Sequence, residues 1–140
     1  MERVDAKAPG VGTQKANQLF IWQTCPAGAM LERLVHLQEG SGKRPRVYDL
    51  LKIQAPDALP LKKLMVVADA GWSEDILASQ KLGDNWLLSL QTPLARVPSA
   101  IVPYTWNFLL NPSNHDSVHI AVQEVIRGRF DNRLFRFQHD

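Results

Sequence analysis

Two polar side chains, far apart in the chain, carry groups from which a site could be built. Glu32 holds a carboxylate in the mostly apolar run Pro26-Ala27-Gly28-Ala29-Met30-Leu31-Glu32. Ser99 holds a hydroxyl between Pro98 and the apolar run Ala100-Ile101-Val102, which Pro103 closes. Prolines on both sides pin that segment, because each fixes its own φ and restricts the residue before it. A hydroxyl held there has a fixed direction, which a binding site needs and a core does not. The question is whether the two segments meet around a ligand.

Other constellations are less specific. His115 and His119 are four apart, but with the second in a strand they share no helical face. No carboxylate or thiol completes a ligand set there, so no metal is expected. Gly10-Val11-Gly12 lacks the third glycine and the following helix of a dinucleotide fingerprint. Ser99 has no nucleophile-elbow glycines around it, which argues against acyl chemistry. Cys25, the single cysteine, precedes Pro26 and reads as a small packed residue. It can form no disulfide within the chain, which fits a reducing compartment. Trp22, Trp86 and Trp106 read as core, and Asn107 and Asn111 as turn residues in a proline loop.

Stepping outward to the elements, Gln18 to Trp22 is short, apolar and bounded by turn formers, so it reads as a buried strand. Pro26 suits a first helical turn, with Thr24 the better cap and Gly40-Ser41-Gly42 the end. On helical spacing Ala27, Met30, Leu31, Leu34, Val35 and Leu37 share an apolar arc. Glu32, His36 and Glu39 fall on a polar arc, so periodicity alone puts Glu32 in water beside His36. Arg46 to Gln54 reads as a strand and Ala55 to Lys63 as a loop. Ser73-Glu74-Asp75 opens a helix that Gly83 breaks, and Asp84 caps a second helix ending before Pro93. Strands are expected over Arg96 to Pro103, Ser117 to Ile126 and Arg129 to Phe137, with an ordered loop from Tyr104 to Asn114.

The 140 residues are 45% hydrophobic and 21% charged, which suits one domain with one core. Residues 1–17 read as a loose lead-in to it. Net charge is +2. The densest basic run, Lys43-Arg44-Pro45-Arg46, reads as a solvated turn, so no direct contact with nucleic acid is expected. No apolar run approaches a membrane span, and MERVDAKAPG has no apolar signal core, so a cytoplasmic protein is expected. The irregular mixture, with strands gathering at the end, favours an α+β fold over a doubly wound sheet.

Three strings carry a resemblance when taken in order. They are Pro26 to Glu32 with Leu34-Val35-His36-Leu37; Gly83-Asp84-Asn85-Trp86-Leu87; and Val97 to Pro103 with Asn107-Phe108-Leu109-Leu110-Asn111-Pro112. Together they resemble the RES domain family, named for its arginine, glutamate and serine. The tail Phe130 to Phe135 is similar to that family's closing strand. The resemblance implies an ADP-ribosyltransferase-like fold of small, mostly antiparallel sheets with flanking helices. It implies the toxin of a bacterial toxin–antitoxin pair that consumes NAD and breaks the nicotinamide–ribose bond by hydrolysis or phosphorolysis. Some members instead transfer ADP-ribose to a protein. An antitoxin with an Xre-type helix-turn-helix is the implied partner, and a homo-oligomer is compatible. Glu32 and Ser99 match the family's glutamate and serine as catalytic positions. Trp22 falls near its tyrosine at the end of the first strand, Arg3 matches an arginine near the start, and Asn107 belongs to the Asn-x-Leu-x-Asn-Pro string; these three are the implied NAD-binding positions. One departure stands out. Where members carry Gly-Arg-Trp, this chain reads Gly10-Val11-Gly12-Thr13-Gln14-Lys15. A lysine cannot offer the bidentate fork of an arginine. A catalytically weakened binding module of the same fold therefore stands as the alternative.

Overall fold

The computed structural model describes residues 2–4, 20–38, 46–65 and 76–135. The fold is α+β, with two small and mostly antiparallel sheets and two α-helices. One sheet has the order β1 (Glu2–Val4), β3 (Val47–Gln54), β7 (Ala121–Arg129). The other has the order β2 (Phe20–Trp22), β6 (Trp106–Leu110), β5 (Leu94–Pro98), β4 (Leu61–Lys63). Every described strand pair is antiparallel except β4 with β5.

Three apolar clusters tie these layers together. Helix α2 (Ile76–Ser89) sets Trp86 and Leu87 against Ala95 and Leu109 of the four-stranded sheet and Leu64 just past β4. The opposite face of that sheet supplies Trp22 and Leu94, which pack with Ile53 of β3 and so join the two sheets. Helix α1 (Pro26–Gln38) lays Ala29 and Met30 on Leu50 and Tyr48 of the three-stranded sheet. Period two sorts the side chains of β6. Phe108 and Leu110 turn toward β3, while Asn107 and Leu109 are buried on the other face.

Several boundaries differ from expectation, each for a physical reason. Helix α2 runs straight through Gly83. A mid-helix glycine costs about 1 kcal/mol, and burial of Trp86 and Leu87 contributes about 2 kcal/mol each, so packing wins. The expected loop from Tyr104 to Asn114 contains β6, whose apolar pattern Asn107 interrupts. Asn111 and Asn114 donate from Nδ2 to the carbonyls of Leu87 and Leu90, at 2.9 and 2.6 Å, and so satisfy the end of α2. The expected strand over Arg129 to Phe137 is a 3-10 helix at Asn132–Phe135. There the Asp131 carboxylate accepts from the Arg133 N–H, and Phe130 meets Phe135 edge-on at 5.7 Å. His115–His119 is likewise a 3-10 helix rather than the start of β7. Within the expected loop of Ala55 to Lys63, Leu61–Lys63 pairs in parallel with β5. Within the expected lead-in, Glu2–Val4 pairs with β3.

Gly128 lies directly across from Tyr48, and a Cβ there would land on the Tyr48 ring. That ring also packs on Phe130, with centroids 5.0 Å apart. Gly128→Val is expected to displace the ring and lower stability by about 1–2 kcal/mol, read as a lower thermal midpoint. On the same strand pair the Arg127 guanidinium grips Asp49 through two bonds of 2.7 and 2.9 Å. The hydrogen bond and charge of Arg127 hold the Asp49 carboxyl below its ordinary value. Its contribution is therefore present above the unfolded carboxylate range and is lost as pH falls through the folded value. Asp49→Asn is expected to lower the thermal midpoint slightly at neutral pH, and the difference is expected to vanish in acid.

Candidate functional site

Helix α1 begins where the residue types require it. Pro26 opens the first turn, and the Gly28 N–H donates to Cys25 Sγ at 3.3 Å, so Cys25 rather than Thr24 caps the helix. One turn on, Glu32 follows Ala29 on the inward face. Only 9% of Glu32 is exposed, whereas Leu31, assigned by periodicity to the apolar arc, is 44% exposed. The expected solvated position of Glu32 is thus corrected. The four-stranded sheet supplies what a carboxylate requires in order to be buried there.

Two donors converge on one oxygen. Ser99 Oγ donates to Glu32 Oε1 at 2.9 Å, and Asn107 Nδ2 donates to the same oxygen at 2.8 Å. Among the described residues no donor reaches Oε2. Ser99 and Asn107 are both buried. The early acid and the late alcohol therefore meet across 67 residues of chain.

Local structure explains why Ser99 points there. β5 ends at Pro98, so Ser99 stands at the exit of a strand and not within one running from Arg96 to Pro103. The chain loops back to β6 with the Ser99 N–H donating to the Thr105 carbonyl at 3.0 Å. Inside this loop the N–H groups of Ile101 and Val102 donate to Ser99 Oγ at 3.1 and 3.0 Å. Tyr104, at φ 62°, makes the turn. A hydroxyl has one proton and two lone pairs. Here the proton is given to Glu32 and the two lone pairs are taken by backbone donors. Ser99 is therefore an orienting group for Glu32, and as a nucleophile it would have to break this set.

Asn107 is held from behind. Gln23, itself buried, donates from Nε2 to Asn107 Oδ1. That bond turns the Asn107 NH2 group toward Glu32. Sequence reading missed Gln23. Its signal was slight: a polar residue two beyond Ile21 on the face of β2 that also packs against the core.

The other implied positions fall elsewhere. Trp22 is 1% exposed and belongs to the core between the sheets, with Ile53 and Leu94. Its ring is enclosed by protein, so in this structure the implied NAD-binding position is a packing position. Arg3 lies in β1 opposite Leu51. The segment Gly10 to Lys15, where the family arginine would fall, lies outside the described residues. Trp106, read as core, is partly exposed. Arg96 Cζ and Lys63 Nζ sit 4.8 and 5.1 Å from its ring centroid.

The RES domain family model matches residues 24–133, a span that includes Glu32, Ser99 and Asn107. The chain belongs to the RES domain family. Toxin Res of Pseudomonas putida is 38% identical to this RES chain over 112 residues, covering 80% of this chain and 76% of that protein. Prs ADP-ribosylating toxin of a Sphingobium species is 33% identical over 113 residues, covering 77% and 69%. Toxin Res of Yersinia enterocolitica is 31% identical over 114 residues, covering 76% and 70%. No described helix is long and apolar enough to cross a membrane.

The donor set can be tested through Asn107. Asn107→Asp places a second carboxylate about 2.8 Å from Glu32, where two such charges cannot both be sustained. The variant is expected to lose about 3 kcal/mol at neutral pH. Denaturant unfolding measures this.

Proposed function

We propose that this RES chain consumes NAD, breaking the bond between nicotinamide and ribose with the Glu32 carboxylate as the catalytic group. The observation that supports it most is the buried Glu32, with Oε1 held by Ser99 and Asn107 and no donor on Oε2 among the described residues. A carboxylate fixed by one oxygen presents the other as a preorganised negative charge. Such a charge stabilises positive charge that grows during a reaction.

The C1′–N bond to nicotinamide breaks, and its electron pair neutralises the pyridinium nitrogen, so neutral nicotinamide leaves. The ribose carbon becomes a cation shared with its ring oxygen, facing Glu32 Oε2. Water or phosphate adds to that carbon, and an attacking water then loses a proton to the bulk solvent. Ser99 and Asn107 take no part in bond making. They keep the carboxylate in place and need no reorganisation as charge develops. The implied partner is an antitoxin with an Xre-type helix-turn-helix.

A second reading has its own support. One relative is named an ADP-ribosylating toxin, and the same ribosyl cation can be captured by a protein side chain instead of water. Tagged NAD separates the two, since only transfer labels a protein.

Glu32→Gln tests the central claim. The amide oxygen can still accept from Ser99 and Asn107, so the fold is expected to persist while the charge is lost. Nicotinamide release from NAD, followed with and without phosphate, is expected to fall by about 10²–10³-fold. Equal release from the variant and the parent protein would remove Glu32 from the chemistry. NAD binding by calorimetry without any turnover would support the weakened binding module.

A further inference from the structure

We propose that Gln23 is a positioning residue for the Glu32 carboxylate, acting through Asn107, and that Gly28 supplies the room in which Gln23 does so. The proposal rests on the NAD-consuming reading for its kinetic consequence, but its geometry can be measured without NAD.

Gln23 is 3% exposed. A buried primary amide is expensive unless it is hydrogen-bonded, and this one donates to Asn107 Oδ1. The consequence is directional. An asparagine side chain is nearly symmetric in shape but opposite in charge at its two ends. With Oδ1 satisfied by Gln23, Asn107 must offer its NH2 to Glu32, and Nδ2 is 2.8 Å from Oε1. Were the amide reversed, a carbonyl oxygen would face the carboxylate and push it away. Without the Gln23 donor, Oδ1 would be left buried with no described partner, and only the Glu32 charge would oppose that reversal. Gln23 thus reinforces the polarity with which the sheet meets the acid.

Gln23 is itself placed by helix α1. A Cβ at position 28 would stand 3.0 Å from Gln23 Oε1, 3.2 Å from Gln23 Cδ and 3.4 Å from Cys25 Sγ. The Gln23 amide therefore lies against the backbone of the first helical turn, in space that a side chain at 28 would press on. Gly28 and Glu32 are four apart on the same helix, one turn from each other. The helix that carries the acid thus also supports, through Gly28, the group that orients the acid's donor. The two bonds run from Gln23, just past β2, to Asn107 of β6 and on to Glu32 of α1. None of these residues other than Glu32 needs to touch substrate.

The decisive experiment compares the full chain with Gln23→Met, which keeps the volume and removes the donor. Gly28→Ala is the second variant; it keeps the Gln23 donor but presses on its amide. Two readouts are taken. The first is the nuclear magnetic resonance signal of the Asn107 side-chain NH2 and its exchange with solvent. The second is the split of nicotinamide-release kinetics between kcat and KM. Gln23→Met is expected to shift the Asn107 NH2 signals and speed their exchange by about tenfold or more. It is also expected to lower kcat by about tenfold or more while KM stays within about threefold. Gly28→Ala is expected to move both readouts in the same direction by less. A folded Gln23→Met with unchanged Asn107 signals and kcat within about twofold of the parent overturns the proposal. Should Gln23→Met not fold, Gly28→Ala decides it by the same two readouts. If the parent protein releases no nicotinamide, the NAD reading fails, and the Asn107 signals alone decide the role of Gln23.

Discussion

A buried carboxylate constrains this molecule more than any other single feature. Moving an unpaired carboxylate out of water costs several kcal/mol even after the protein relaxes. Hydrogen bonds to a charged group offset about 1.5–3 kcal/mol each. Glu32 receives two of them on one oxygen. That balance leaves little surplus, so the acid stays inside only while both donors keep their direction. Much of the surrounding structure serves that condition: the loop that fills the lone pairs of Ser99, the alternation of β6 that turns Asn107 inward, and the amide of Gln23 behind it.

The two sheets divide the work. The three-stranded sheet takes the apolar face of α1 through Leu50 and Tyr48 and so sets the position of the helix. The four-stranded sheet takes the polar contact at Glu32 and is stiffened from its other elements by α2. Asn111 and Asn114 close the end of α2 against the chain leaving β6. Residues of the Asn-x-Leu-x-Asn-Pro string therefore do different things: Asn107 faces the acid, Leu109 packs in the core, and Asn111 caps a helix. A run that reads as a polar loop is a strand in which each residue type has a separate structural job.

Parts of this were legible in the chain alone. The α+β class, the helix from Pro26, the strand over Val47–Gln54 and the core roles of Trp22 and Trp86 follow from local patterns. The meeting of Glu32 with Ser99 was also legible, but through the ordered strings of a family and not through periodicity. Helical phase pointed Glu32 to water, because a one-dimensional pattern treats every carboxylate as a solvated group. It has no means of knowing that residues 67 and 75 positions away will offer donors. Gly83 misled in a similar way, since its local propensity was weighed without the burial of Trp86 and Leu87. Gln23 was invisible because a lone glutamine after a strand carries no pattern at all.

Local sequence determined which segments prefer helix or strand and where a proline or capping side chain must start or stop them, since those preferences act within a few residues. The order of its short strings also determined the family. Tertiary structure alone decided which way α1 is rotated, that one oxygen of Glu32 is held by Ser99 and Asn107, and that Trp22 is enclosed and not presented. Those outcomes depend on the desolvation of polar groups by distant parts of the chain, and the cost of desolvation is set only when the layers close.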